Sequence, residues 1–122
     1  MKYSNIESHN GILVYPIYTK ENIPELRKVE DIVNSKDKDG KFDEMFYRTV
    51  EDIMRDAVDE IFGINHDDSI TIENEWDDLY IEGYNDKDLE KAEKALKLAG
   101  DTLLDFETKY LKSKGDWTKV MQ

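Results

Sequence analysis

The strongest constraint on the fold is a repeat near the C-terminus, where Leu89, Ala92, Leu96, Ala99, Leu103, Phe106 and Tyr110 recur at alternating steps of three and four. A period of about 3.5 residues commits such a stretch to one long amphipathic helix with a single apolar seam. Gly100-Asp101 falls in its middle, but a break there would reset the phase, and the phase does not reset. The expectation is one helix, kinked if anywhere at Gly100. Lys112 to Gly115 ends it with positive charge, which suits the negative end of the helix dipole, and Trp117 is expected to fold back onto the body. A seam of this kind packs on its own sheet, the commoner use in a small domain, or joins two copies of the chain.

A second helix is written from Phe42 to Phe62. Phe42, Phe46, Val50, Ile53, Ala57 and Ile61 keep helical spacing, Met54, Val58 and Phe62 widen the stripe, and Gly63 stops it. Glu44–Arg48, Glu51–Arg55 and Arg55–Asp59 stand four apart on its polar side, surface pairs of roughly a few tenths of a kcal/mol each. A shorter helix is expected upstream, capped by Asn22 and Glu25 with Pro24 in its first turn, and carrying Leu26, Val29, Ile32 and Val33. Between the two, residues 34–40 read as an exposed loop. Asp37 to Phe42 echoes the centre of a calcium loop, but the matching register puts Ser35 first and Phe46 twelfth, where carboxylates belong.

Strand signals are of two kinds. Gly11 to Thr19 is apolar, β-branched and aromatic, follows the turn Asn10-Gly11, and contains Pro16, which directs it to a sheet edge or a bulge. Ile70–Glu73 and Leu79–Glu82 alternate apolar and polar residues and read as a hairpin around residues 74–78. Ile70, Ile72, Leu79 and Ile81 are then assigned to the core, and Thr71, Glu73, Tyr80 and Glu82 to solvent. Gly83-Tyr84-Asn85 makes the next turn, with Asn85 or Asp86 capping the long helix. The order is β-α-α-β-β-α: an α+β fold, a small antiparallel sheet of about three strands packed with three helices, with residues 1–122 as a single domain. Hydrophobic residues make up 39% of the chain, enough to bury a core although 38% of it is charged.

That charge is concentrated. Between Arg55 and Lys87 stand eleven acids and no Lys or Arg, a window that supplies −11 of the net charge of −12. A focused negative field repels phosphates and anionic lipid and draws basic partners, so neither direct nucleic-acid binding nor membrane binding is expected. The absence of cysteine removes thiolate nucleophiles and Cys-ligated metals, and there is no phosphate-binding loop, dinucleotide fingerprint or Ser-His-Asp motif. His66-Asp67-Asp68 is the one metal-like cluster, more simply a polar turn after a helix stop. The chain therefore reads as a cytoplasmic, non-enzymatic protein with no cofactor and no metal, a monomer or weak homodimer.

The candidate partner-binding residues are Asp59, Glu60, Asp67, Asp68, Glu73, Glu75, Trp76, Asp77, Asp78, Tyr80 and Glu82, carboxylates interleaved with aromatics of the type that anchor interfaces. A solvated acidic face is the bland alternative. Carboxylates held at regular spacing can imitate nucleic-acid phosphates and occupy a basic groove, which makes the expected partner a basic, nucleic-acid-processing protein. Anti-restriction proteins, anti-CRISPR proteins and nuclease immunity proteins share this logic. The chain resembles them in size, acidity and lack of a catalytic motif, and shares no sequence motif with them, so a phage or mobile-element origin is an expectation from kind alone. A structural module that self-associates through the C-terminal helix is the alternative, and a metal-dependent enzyme the third reading.

Overall fold

A computed structural model of the chain describes residues 6–9, 12–17, 44–75 and 78–113. Within these, β1 (Glu7–His9), β2 (Ile12–Pro16), β3 (Thr71–Glu75) and β4 (Asp78–Glu82) form one antiparallel sheet in the order β1-β2-β4-β3. Helix α1 spans Glu44–Phe62 and α2 spans Leu89–Ser113. The α+β class is as the sequence implies, with four strands in place of about three. The helix expected over residues 22–33, the calcium-like loop and Trp117 lie outside the described residues.

The extra strand is β1. Its pairing with β2 sets Glu7 opposite Val14, Ser8 opposite Leu13 and His9 opposite Ile12. Two residues, Asn10 and Gly11, separate the strands in sequence, and Asn-Gly is the dipeptide that two-residue hairpins favour. The dipeptide expected merely to precede a strand therefore stands between two that pair. As a result β2 is an interior strand and not the edge that Pro16 suggests. Proline is tolerated because it is the last residue of β2, opposite Asp78, while β1 pairs only as far as Val14.

One face of this sheet is the core. Leu13, Tyr15 and Ile17 alternate with half-buried Ile12, Val14 and Pro16. Ile70, Ile72, Leu79 and Ile81 are buried as their alternation requires. Against them α2 lays Ala92, Leu96, Ala99, Leu103, Phe106 and Tyr110, six of the seven seam positions, all buried; Leu89 is the exception at 44% exposed, on the first turn. Helix α2 packs on β2, β4 and α1, and α1 packs on β3. The two helices meet around Phe46, whose ring centroid lies 5.3 Å from that of Phe106 and 4.7 Å from that of Tyr110.

Gly100 stays inside α2 because the sheet needs it there. A Cβ at this position would collide with the Tyr15 ring and press on Ile17, so helix and strand make their closest approach at glycine. Glycine in a helix interior costs about 1 kcal/mol relative to alanine. The contact it permits is well used by the strand: Tyr15 is 4% exposed, and its hydroxyl donates to Asp101 Oδ1 (3.1 Å) and accepts from Lys97 Nζ (2.9 Å). Lys97 and Asp101 close the triangle at 3.1 Å.

The remaining ends are set locally. Gly63 stops α1 with φ of 91° and its N–H bonded to the Asp59 carbonyl at 2.9 Å, a left-handed cap. Helix α2 is entered through a short 3-10 turn, Asp86–Asp88, with Asn85 at the expected N-cap position: its backbone is extended and its carbonyl accepts from Asp88 N–H at 2.8 Å, but its side chain makes no capping bond. On α1, Arg55 pairs with Asp52 at 2.7 Å and lies 4.0 Å from Asp56, in place of the expected Glu51 and Asp59. Asp59 is drawn instead to His66.

Candidate functional site

Strand alternation that sends Ile72, Leu79 and Ile81 into the core sends their neighbours to the opposite face of the sheet. Register then aligns these neighbours across all four strands. Glu7, Val14, Tyr80 and Glu73 form one row, with Pro16, Asp78 and Glu75 on one side of it and Glu82 opposite Thr71 on the other. Glu7, Glu73 and Glu82 are exposed, and Tyr80 and Asp78 are half-buried. The Tyr80 hydroxyl donates to Glu73 Oε2 at 2.6 Å, a short charge-assisted bond that fixes an aromatic ring beside a carboxylate. None of the four strands contains a Lys or Arg. The last pair of the β3–β4 register sets Glu75 opposite Asp78, two acidic positions, and like charges directly opposite destabilise a strand pair.

The acids of the window thus fall into two groups. Glu73, Tyr80 and Glu82 come together on the outer sheet face, joined by Asp78 and, by register, Glu75. Asp59, Glu60, Asp67 and Asp68 belong to the last turns of α1 and the corner leading to β3. Trp76 and Asp77 lie outside the described residues. Glu7 is an addition that the sequence alone leaves unplaced, since its position on this face depends on the β1–β2 pairing; Asn10-Gly11 is the signal for it.

At the corner, two of the four acids are engaged in local architecture. Asp67 accepts the backbone N–H of Ser69 at 2.9 Å, which with a further bond from the Ser69 side chain holds its carboxyl below the ordinary value. Ile70 N–H bonds to the Asp67 carbonyl at 3.0 Å, completing the turn into β3. His66 spans the corner: Nδ1 lies 2.8 Å from the Asp67 carbonyl oxygen and Nε2 2.8 Å from Asp59 Oδ1. A carbonyl can only accept, so Nδ1 carries a proton, and the Asp59 carboxylate calls for a second on Nε2. The arrangement is that of an imidazolium. The bond to Asp67, then that to Asp59, raises the His66 pKa above 6.5 against a smaller opposing effect of burial, and the charges of Asp59 and Asp68 add to the rise. Among the described residues no three His, Asp or Glu come together in a group that could hold a metal ion.

A pH dependence follows. Because the folded-state pKa lies above the unfolded one, the stabilisation from His66 is complete below pH 6.5 and disappears as pH rises through the folded value. Thermal melts of the wild type and His66→Gln should differ most in mild acid and converge in mild alkali. A gap independent of pH, or an imidazole titration below 6.5 by NMR, would show that the pair carries no charge.

Comparison with protein-family models, with curated proteins and with solved structures finds no match to this chain. Among the described residues no helix is long and apolar enough to cross a membrane. The reading of function therefore rests on the geometry of the acidic face.

Proposed function

We propose that this chain is a non-enzymatic binding protein that presents the outer face of its sheet to a basic protein partner, occupying a groove that otherwise holds nucleic acid. The observation that carries the reading is the register that gathers Glu7, Glu73, Glu75, Asp78 and Glu82 around Tyr80 on strands without Lys or Arg. Residues two apart on one strand are spaced by roughly 7 Å and neighbouring strands by about 5 Å, so a rigid sheet holds carboxylates at separations comparable with those of phosphates on a nucleic-acid strand. A groove evolved for phosphates then releases its counterions to the sheet. Tyr80, fixed by Glu73, supplies an apolar body with a polar tip, the composition of an interface anchor.

The test is capture of partners on the immobilised protein from an extract of its own source. The expected result is retention of a basic nucleic-acid-binding protein at low salt, released at high salt and displaced by added duplex DNA. Retention that neither salt nor DNA disturbs would overturn the mimicry.

A further inference from the structure

Among the described residues the sheet ends on one side at β3. Among the described residues β3 pairs only with β4, so every second residue of Thr71–Glu75 turns its backbone N–H and C=O outward. Beside that edge runs a groove of about 720 Å³, within the roughly 300–1,000 Å³ range of ligand pockets. Its helix wall is built by Tyr47, Val50 and Met54 of α1, and its strand wall by Ile72, Glu73 and Asn74 of β3. Tyr47 is 42% exposed at the rim, its ring edge-on to that of Phe46 with centroids 6.3 Å apart.

We infer that this groove binds an extended, Lys- or Arg-bearing peptide segment of a partner protein, which adds to β3 as a fifth strand and turns alternate apolar side chains onto Tyr47, Val50 and Met54. An extended chain is the ligand whose backbone matches a row of outward N–H and C=O groups, and apolar pockets beside a sheet edge select its alternate residues. Charge selects its sign. Glu51, Asp68 and Glu73 line the groove, and its two cationic side chains are each paired with an acid, Arg55 with Asp52 at 2.7 Å and His66 with Asp59 at 2.8 Å. Charge also disfavours a second copy of the chain, since edge-to-edge pairing would bring the Glu73 and Glu75 positions of one β3 against those of another. The inference rests on the proposed function for the basic chemistry of the partner, and adds a second contact that shares Glu73 with the outer sheet face.

The probe is a labelled eight-residue peptide of alternating Val and Lys, titrated by fluorescence anisotropy, with two companions: the same peptide N-methylated at alternate amides, and one with Glu for Lys. Asn74→Pro is the protein variant. Glu75 and Asp78 close a two-residue hairpin, which puts the Asn74 N–H on the outward side, and edge positions tolerate proline. Tyr47→Ser is the second variant, on the helix wall and away from the strand.

The expected result is saturable binding of the Val-Lys peptide, with amide hydrogen exchange slowed in β3. Binding should weaken at least tenfold for the N-methylated peptide, for the Glu peptide, and for each variant at an unchanged melting temperature. Equal binding of the parent and N-methylated peptides would overturn strand addition, because attraction to the acidic face alone needs no backbone bonds. A wild-type dimer abolished by Asn74→Pro, with no peptide bound, would assign the edge to a second copy and also overturn it. Capture of a basic partner that depends on the outer-face acids Glu7 and Glu82, which do not line the groove, but not on Asn74 would defeat this inference while leaving the proposed function standing; loss of capture altogether defeats that function.

Discussion

Leu103→Asp is expected to abolish the cooperative melting transition of the chain. Leu103 is fully buried on α2, at a seam position within the core cluster. Truncating a buried leucine to alanine alone costs about 2–5 kcal/mol, and burial of an uncompensated carboxylate adds several more. The total is comparable with the whole stability of a domain, about 5–15 kcal/mol. Leu103→Ala, which leaves a cavity without a charge, should stay folded and melt lower by roughly 10 °C or more, at about 4–8 °C per kcal/mol. The pair of variants also weighs the two uses of the seam. Six of its seven positions are buried within one chain, so the folded state depends on them whether or not a second copy is present. Sedimentation equilibrium that found a folded monomeric Leu103→Asp protein, beside a wild-type dimer, would show that the seam serves association and not the core.

Helix α2 is legible in the sequence because its phase is continuous, and Gly100 shows why phase outweighs propensity. A glycine in mid-helix suggests a break, yet its neighbours keep their spacing because the residue is fitted to a contact, with the Tyr15 ring, that lies 85 positions away in the chain. The β3–β4 hairpin is legible for a similar reason: strict alternation fixes which residues enter the core, and only the length of the turn differs. The losses are of long-range information. Asn10-Gly11 marks a turn, but whether the residues before it pair across it depends on a sheet that the local sequence does not display. Without β1, β2 would be an edge strand, and Pro16 agrees with that wrong placement.

The site shows the same division. That Glu73, Tyr80 and Glu82 share a face follows from a period of two, whereas Glu7 joins them only through three strand pairings. Local sequence makes His66 one of three polar turn residues because its partner Asp59 lies seven positions back, across a glycine stop, where four-residue helix spacing assigns Asp59 to Arg55. Charge counting treats histidine as neutral, so the window between Arg55 and Lys87 holds a conditional cation at the α1–β3 corner, while the strands carry no Lys or Arg of their own.

Reversal of the exposed outer-face acids, Glu7→Lys, Glu73→Lys and Glu82→Lys together, is expected to slow association with the captured basic partner on the order of tenfold or more while leaving the fold intact. Each of the three is exposed at the surface, where substitutions typically shift stability within about 0.5 kcal/mol, although Glu73→Lys also removes the bond from Tyr80 and Glu7 has a polar interaction of its own. Glu73→Gln separates these effects, since an amide oxygen can still accept that bond and only the charge is lost. Steering by charge is an effect on the on-rate that salt screens, so the reversed protein should show a flatter dependence of association rate on ionic strength, and the two proteins should converge at high salt. Tyr80→Ala should act on the other arm, raising the off-rate, because loss of a desolvated anchor is felt after docking and not before. A folded triple variant that associates at the wild-type rate at low salt would mean that the partner does not meet this face, and the acids of the strands would then be a solvated surface.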